Sequence, residues 1–209
     1  MATTVKFPVT FLELADLAGS ELARFPSDFD EYWDLLEDAE YKADFHQGQI
    51  IAMSYETNPH SNLETEIQFW LRQIFPRAHY QIHSSNRPIY LPDCEGRAVF
   101  NPDCSVVPNQ APRFVYKPGF DAETNPLFVC EILSKSTSDY DLYEKLPCYK
   151  KIPSLRYILY ADSRRMFITL FERIGDTHQW INTDYDQPEQ TFLLHNTHIR
   201  LQDLYEGIL

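Results

Sequence analysis

Asp103 and Glu131 place carboxylates within two apolar runs. Asp103 follows Pro102 and opens Asp103-Cys-Ser-Val-Val-Pro108, and Glu131 sits inside Leu127-Phe-Val-Cys-Glu-Ile-Leu-Ser134. A carboxylate in a buried strand is costly unless it is paired or binds a metal. Two on neighbouring strands make an oxygen-rich site for a hard divalent cation, to which the backbone carbonyl of Ile132 offers a further oxygen. Lys145 lies downstream on a predicted helix, one turn after Asp141. Hydrolysis of a phosphodiester needs a metal to polarise the phosphoryl oxygen, an activated water and charge stabilisation. Asp103 and Glu131 are the candidate metal ligands. Lys145 is the candidate for orienting the water or neutralising developing charge.

Strand alternation puts Glu131 and Leu133 on one face and Ile132 on the other. Many nucleases carry a lysine at the position of Leu133, so here the positive group must come from elsewhere. The elements that would position these residues follow from hydrophobic period and turn chemistry. Apolar positions 29, 32, 33 and 36 behind Ser27 and Asp28 predict a helix. Residues 41–54 predict a hairpin turning at Gln47-Gly48, with a buried second arm at positions 50–53. Apolar residues at 63, 67, 70, 71 and 74 form one helix face, opened by Ser61 with Glu64 or by Asn58 with Pro59, and ended by Pro76. Strands are predicted over roughly 79–91, 98–107, 127–134 and 156–161. Between the last two, residues 138–151 read as a crossover helix, so those strands should run parallel. Pro147 deletes a donor inside that helix and predicts a kink just after Lys145, which sets the reach of Lys145 against Lys135 and Lys150 as substitute amines. The proline-bearing segment 108–126 reads as a surface excursion. A hairpin with a Gly175-Asp176 turn, a strand near 191–195 and a short helix near 201–206 complete the chain.

With 209 residues, 44% hydrophobic, the chain suits one domain: a helical extension over 1–40, a core over 41–165, and a C-terminal hairpin, strand and helix over 166–209. The element order gives an α+β class with an α/β-like core: a mixed central sheet flanked by helices, in the order helix, strand, strand, strand, helix, strand, with extra N- and C-terminal hairpins. No apolar run is long enough for a membrane span, and Met1 to Phe7 lacks the pattern of a signal peptide. A cytoplasmic location follows as an expectation. Cys94, Cys104, Cys130 and Cys148 show no CxxC pairing and no zinc-like spacing; Cys104 and Cys130 read as small buried hydrophobes. The net charge of −13 argues against tight nonspecific DNA binding.

Asn101-Pro-Asp103, Val129-Cys-Glu131-Ile-Leu-Ser-Lys-Ser-Thr137 and Tyr140-Asp141 with Lys145 and Tyr149 resemble the Uma-two family of restriction-endonuclease-like proteins in the PD-(D/E)XK superfamily. Tyr41-Lys-Ala-Asp44, Gly48 to Met53, Ile152 to Tyr157 and Leu201 to Tyr205 extend the likeness, which runs from about residue 25 to the end. The resemblance implies a restriction-endonuclease-like fold and a metal-dependent endonuclease hydrolysing DNA. Asp103 and Glu131 would bind Mg²⁺ or Mn²⁺, and Lys145 would be the superfamily's lysine moved from strand to helix. His60 and Asp141 would be supporting positions, with Asp44 as a retained hairpin acid. By analogy with the superfamily, two copies would pair as a homodimer, since cutting a duplex calls for two active sites.

Each candidate also has a structural reading. Asp103 after proline caps a turn or begins a strand. Glu131 pairs with an arginine such as Arg156. Asp141 and Lys145 form a surface helix pair. His60 satisfies a helix end. Two rival functions follow. Gln47 and Gln49, where the family carries acids, together with Pro147 and the acidity, fit a nuclease-derived domain that binds nucleic acid or protein without cutting. The acidity also fits an enzyme acting on small phosphodiesters. A basic groove, if present, is expected from Lys135, Lys145, Lys150, Lys151 and Arg156.

Overall fold

In this computed structural model residues 7–19, 22–53 and 57–209 are described; Ser54 of the predicted hairpin and residues 1–6 of the N-terminal stretch fall outside them. Reciprocal capping starts the first two helices. Thr10 and Glu13 close the N-terminus of α1 (Phe11–Ala18), and Asp28 and Glu31 do the same for α2 (Phe29–Leu35). Between them β1 (Ala23–Pro26) adds a strand that the sequence reading missed. The predicted hairpin is β2 (Ala43–His46) and β3 (Gln49–Ala52). Gln47 and Gly48 both take positive φ, 51° and 70°, as a type I′ turn demands. Helix α3 (Asn58–Ile74) is capped by Thr57, one residue before Asn58 and four before Ser61, so Pro59 lies in the first turn and Ser61 is inside the helix. Phe75 is extended, as a residue before proline prefers.

The predicted strands 79–91 and 98–107 each divide in two. They give β4 (Tyr80–Ser84) with β5 (Ile89–Leu91), and β6 (Ala98–Phe100) with β7 (Cys104–Pro108). The segment 108–126 is not a bare excursion. It carries the hairpin β8 (Arg113–Lys117) and β9 (Phe120–Glu123). Its prolines, 108, 112, 118 and 126, flank these strands instead of interrupting them, and Tyr116 stacks on Trp33 of α2 at 5.3 Å. Next come β10 (Phe128–Leu133), then a helical run of α4 (Ser138–Tyr140), a π-helical turn (Asp141–Lys145) and α5 (Leu146–Tyr149), then β11 (Tyr157–Asp162). The chain ends with β12 (Ile168–Arg173), β13 (Trp180–Tyr185), β14 (Thr191–Leu194), β15 (Thr197–Arg200) and α6 (Leu201–Leu204).

The mixed α+β class holds, with two large sheets instead of one. A six-stranded sheet has the order β13-β12-β11-β10-β7-β4, and a seven-stranded sheet has the order β1-β3-β2-β6-β5-β9-β8. Strands β10 and β11 pair in parallel, as the crossover requires. Alternation along β10 sorts its side chains. Cys130 and Ile132 join the core beneath Leu63, Ile67 and Leu71 of α3, whereas Val129 and Leu133 join a second core containing Tyr140 and Tyr149. Cys104 and Cys130 are buried free thiols opposite one another in the register, as small hydrophobes would be. Among the described residues no helix is long and apolar enough to cross a membrane.

Candidate active site at the sheet junction

The chain leaves one sheet at Phe100 and enters the other at Cys104. Asn101-Pro102-Asp103 spans the gap, so the break in the predicted strand lies where Asp103, though buried, lines the cleft. Asn101 is anchored to the hairpin: its backbone N–H donates to Asp44 Oδ1 at 2.7 Å and its side-chain amide to Ala43 O at 2.8 Å. Asp103 Oδ2 accepts the backbone N–H of Ile132 at 2.7 Å, just past the last β7–β10 pair, Cys104 with Cys130. Asp103 Oδ1 accepts Lys42 Nζ at 2.7 Å, and His60 Nε2 lies 3.4 Å from Oδ2. Burial raises the Asp103 pKa, but Lys42 and His60 outweigh it and hold the carboxyl well below the usual carboxylate range.

Glu131 lies on the face of β10 that looks away from α3. Its Oε1 accepts Tyr149 OH at 2.5 Å and Lys145 Nζ at 3.1 Å. Lys145 Nζ is also 3.2 Å from Asp44 Oδ2 and 3.2 Å from Asp141 Oδ1, in a setting where the lysine is only 1% exposed. Tyr140 OH completes the Asp44 shell at 3.0 Å. Pro147 explains how the helix delivers the amine. Proline cannot donate to the Tyr143 carbonyl, and its ring crowds that turn. The backbone widens instead: Leu146 N–H bonds back to Asp141 O, the five-residue spacing of a π turn, while Tyr160 OH also donates to that carbonyl at 2.8 Å. The expected kink is therefore a π bulge, which leaves Asp141 and Lys145 aimed at Glu131.

Four buried carboxylates (Asp44, Asp103, Glu131, Asp141) face two ammonium groups (Lys42, Lys145), so the fully ionised cluster carries −4 + 2 = −2. This imbalance shows in the titration behaviour. Burial, tempered by Lys145 and reinforced by Asp141 and Asp103, pushes Glu131 up to about 8. Burial likewise raises Asp141. Burial lowers Lys145, but Asp44, Glu131 and Asp141 reverse this and raise it well above its ordinary value. Asp103, Glu131, Asp141, Lys145, Lys42 and His60 all line one cleft of about 1080 Å³, rimmed by Ser85, Asn86 and the loop 134–137. Ser134 accepts Thr137 N–H at 3.3 Å, so hydroxyl-to-backbone bonding holds that loop.

By type, the carboxylate and carbonyl oxygens here suit a hard divalent ion, although among the described residues no three acidic or histidine donors of the cleft lie within 4.8 Å of one another. Glu131 Oε2 receives no hydrogen bond from a described residue, and Glu131 lines the cleft. The N–H and C=O of a strand residue leave on the same side, so the Ile132 carbonyl points with its N–H toward Asp103. A cation here would offset the excess negative charge. Two structural readings are excluded. Arg156 pairs with Asp176, not Glu131, and the Asp141–Lys145 pair is buried. The expected basic groove does not assemble: Lys135 and Lys145 line the cleft, whereas Lys150 sits over the Phe171 ring and Arg156 is engaged at the Gly175-Asp176 turn. Sequence reasoning assigned no role to Lys42 or Tyr149. Two signals were there: Lys42 precedes Asp44 by two on one hairpin arm, and Tyr149 follows Lys145 by one helical turn.

Comparison with known proteins agrees with this architecture. An uncharacterized protein of Synechocystis sp. is 29% identical over 154 residues, covering 74% of this chain and 84% of that protein. A crystal structure of a "putative nuclease" from Anabaena variabilis superposes with a TM-score of 0.62 at 18% identity, covering 97% of this chain and all of the other, so the two share a fold. Residues 29–202 match the sequence profile of the Uma2 family, described as "Putative restriction endonuclease", and the chain belongs to that family.

Proposed function

We propose that the chain is a metal-dependent endonuclease that hydrolyses DNA phosphodiesters in the cleft at the sheet junction, working in the cytoplasm as a homodimer. One observation carries this reading: Asp103, Glu131 and Lys145, from three separated segments, meet in one cleft whose buried charge is left negative. Asp103, Glu131 and the Ile132 carbonyl would hold Mg²⁺ or Mn²⁺, whose Lewis acidity polarises the phosphoryl oxygen. Lys145 presents a fixed ammonium for the attacking water or the developing charge, and Asp44 and Asp141 keep that ammonium protonated and in place. His60 and Lys42 orient Asp103. Lys135, exposed at the rim, is placed to meet a neighbouring phosphate. The cleft has no cationic excess of its own, so productive DNA contact depends on the metal, and metal-free binding is weak and salt-sensitive. The same acidity favours a second reading, hydrolysis of small phosphodiesters.

Incubating the protein with supercoiled plasmid, single-stranded DNA and a small aryl phosphodiester, with and without Mg²⁺ or Mn²⁺, tests the proposal. Metal-dependent plasmid nicking is expected. Turnover of the small ester alone moves the assignment to the second reading. No hydrolysis, with no Mn²⁺ bound at millimolar concentrations, rejects both.

Metal binding should also be linked to pH. Glu131 holds its proton up to about pH 8, so an ion that takes its carboxylate must displace that proton. The apparent Mn²⁺ affinity should rise up to about tenfold per pH unit from about 6 to about 8, with up to one proton released per ion. Calorimetry in two buffers of different ionisation enthalpy reads that proton, and a pH-independent affinity would contradict the ligand role of Glu131. The metal-free protein should behave in the opposite sense. Glu131 binds its proton more tightly folded than unfolded, so its contribution to stability is complete below 4.5 and lost as pH rises through about 8.

A further inference from the structure

A second cluster, of softer donors, lies beside the cleft. His46 Nε2 is 3.6 Å from Cys94 Sγ and 3.8 Å from Cys148 Sγ. The three donor atoms fall within 4.8 Å of one another, and each residue is at most 2% exposed. The two sulfurs are joined as a disulfide across 54 residues, a pairing that local spacing could not reveal. The other imidazole nitrogen, Nδ1, faces Glu144 Oε2 at 3.5 Å, and Arg24 fixes that carboxylate at 2.5 Å. An imidazole with one nitrogen on sulfur donors and the other facing an anchored carboxylate is the arrangement of a metal-ligating histidine. Burial lowers the His46 pKa despite Glu144.

We propose that in its dithiol state this cluster binds a thiophilic d¹⁰ cation, Zn²⁺, through Cys94 Sγ, Cys148 Sγ and His46 Nε2. A dithiol reductant supplies two electrons and two protons to the Cys94–Cys148 bond and is itself oxidised to a disulfide; the incoming Zn²⁺ then displaces the two thiol protons. Access is short, because Cys94 lies under a turn whose neighbours Pro92, Asp93, Glu95, Gly96 and Arg97 are exposed. Solvent at that turn supplies the fourth donor that Zn²⁺ takes beyond three protein ligands. Sulfur and imidazole select a different ion from the oxygen donors of the cleft, so the two sites fill independently. The zinc site would clamp the hairpin arm that carries Asp44 to the helical segment that carries Lys145, from outside the cleft.

The test uses the full chain, reduced with a phosphine under anaerobic conditions and titrated with Co²⁺, then Zn²⁺. One equivalent of Co²⁺ should produce a thiolate-to-cobalt charge-transfer band, and one equivalent of Zn²⁺ should erase it. Cys94→Ser and Cys148→Ser should each lose the band, and Glu144→Gln should weaken Zn²⁺ affinity by about tenfold. Glu131→Gln should retain the band. Circular dichroism checks folding of each variant, and Cys94→Ala replaces Cys148→Ser if the latter unfolds. Absence of the band in the reduced wild type, its survival in a cysteine variant, or its loss in folded Glu131→Gln would overturn the proposal.

Discussion

Glu131→Gln should reduce metal-dependent hydrolysis by on the order of 10³-fold while leaving the protein folded. Glutamine keeps the shape of the side chain and an oxygen for Tyr149 OH and Lys145 Nζ, which bond Glu131 Oε1 at 2.5 and 3.1 Å. What it removes is the carboxyl that gives up its proton when a metal binds, and with it a negative charge that the metal-free protein carries in full only above about pH 8. Because Glu131 is already pushed up to about 8, mainly by burial, the metal-free protein should be no less stable at pH 8 after the change. Cleavage rate, Mn²⁺ titration and thermal melting together make the check. Wild-type cleavage by the variant would remove Glu131 from the reaction. Asp103→Asn provides a contrast. Asp103 answers Lys42 with a full charge at 2.7 Å, so the amide should cost stability as well as metal binding.

The two acids were legible because each breaks a local rule, since a carboxylate opening or interrupting an apolar run signals a demand that the fold meets elsewhere. Lys145 was named from its place one turn after Asp141 and from the family likeness, and Pro147 spoke against its reach until the π turn accounted for it. Helix α3, the β2–β3 hairpin, the parallel β10–β11 pair and the C-terminal hairpin were legible from period and turn chemistry, since local patterns determine them. The division into two sheets was not. A run such as 98–107 is apolar on both sides of Asn101-Pro102, and only tertiary pairing shows that the chain changes sheet there. The hairpin β8–β9 was hidden by prolines that bound strands as readily as they mark loops. Lys42 was overlooked for a similar reason. A lysine at a strand edge reads as solvated until the strand's face is known, and here that face is the cleft. The Cys94–Cys148 pairing depends on a contact between a turn and a helix that no spacing rule encodes.

Lys145→Ala should destabilise the protein by roughly 3–5 kcal/mol at pH 8, because it leaves a buried set of anions without its counter-charge. Asp44, Glu131 and Asp141 all lie within 3.2 Å of the ammonium, and none is more than 3% exposed. Protons can replace the amine. Burial already raises Glu131 and Asp141, and loss of Lys145 removes the charge that restrains both, so the variant's native state binds protons far more tightly than its unfolded state. Its stability should therefore recover as pH falls from 8 to about 5, over the range in which the acids protonate in the folded chain but remain ionised in the unfolded one. Adding Glu131→Gln to Lys145→Ala should recover part of the loss at pH 8, because it removes one stranded charge; this coupling separates an electrostatic defect from a cavity. Urea unfolding at both pH values, on the single and double variants, measures it. A deficit equal at pH 5 and pH 8 and unchanged in the double variant would mean that the lysine is held by packing alone. Its role as the fixed positive charge of the cleft would then have no electrostatic support.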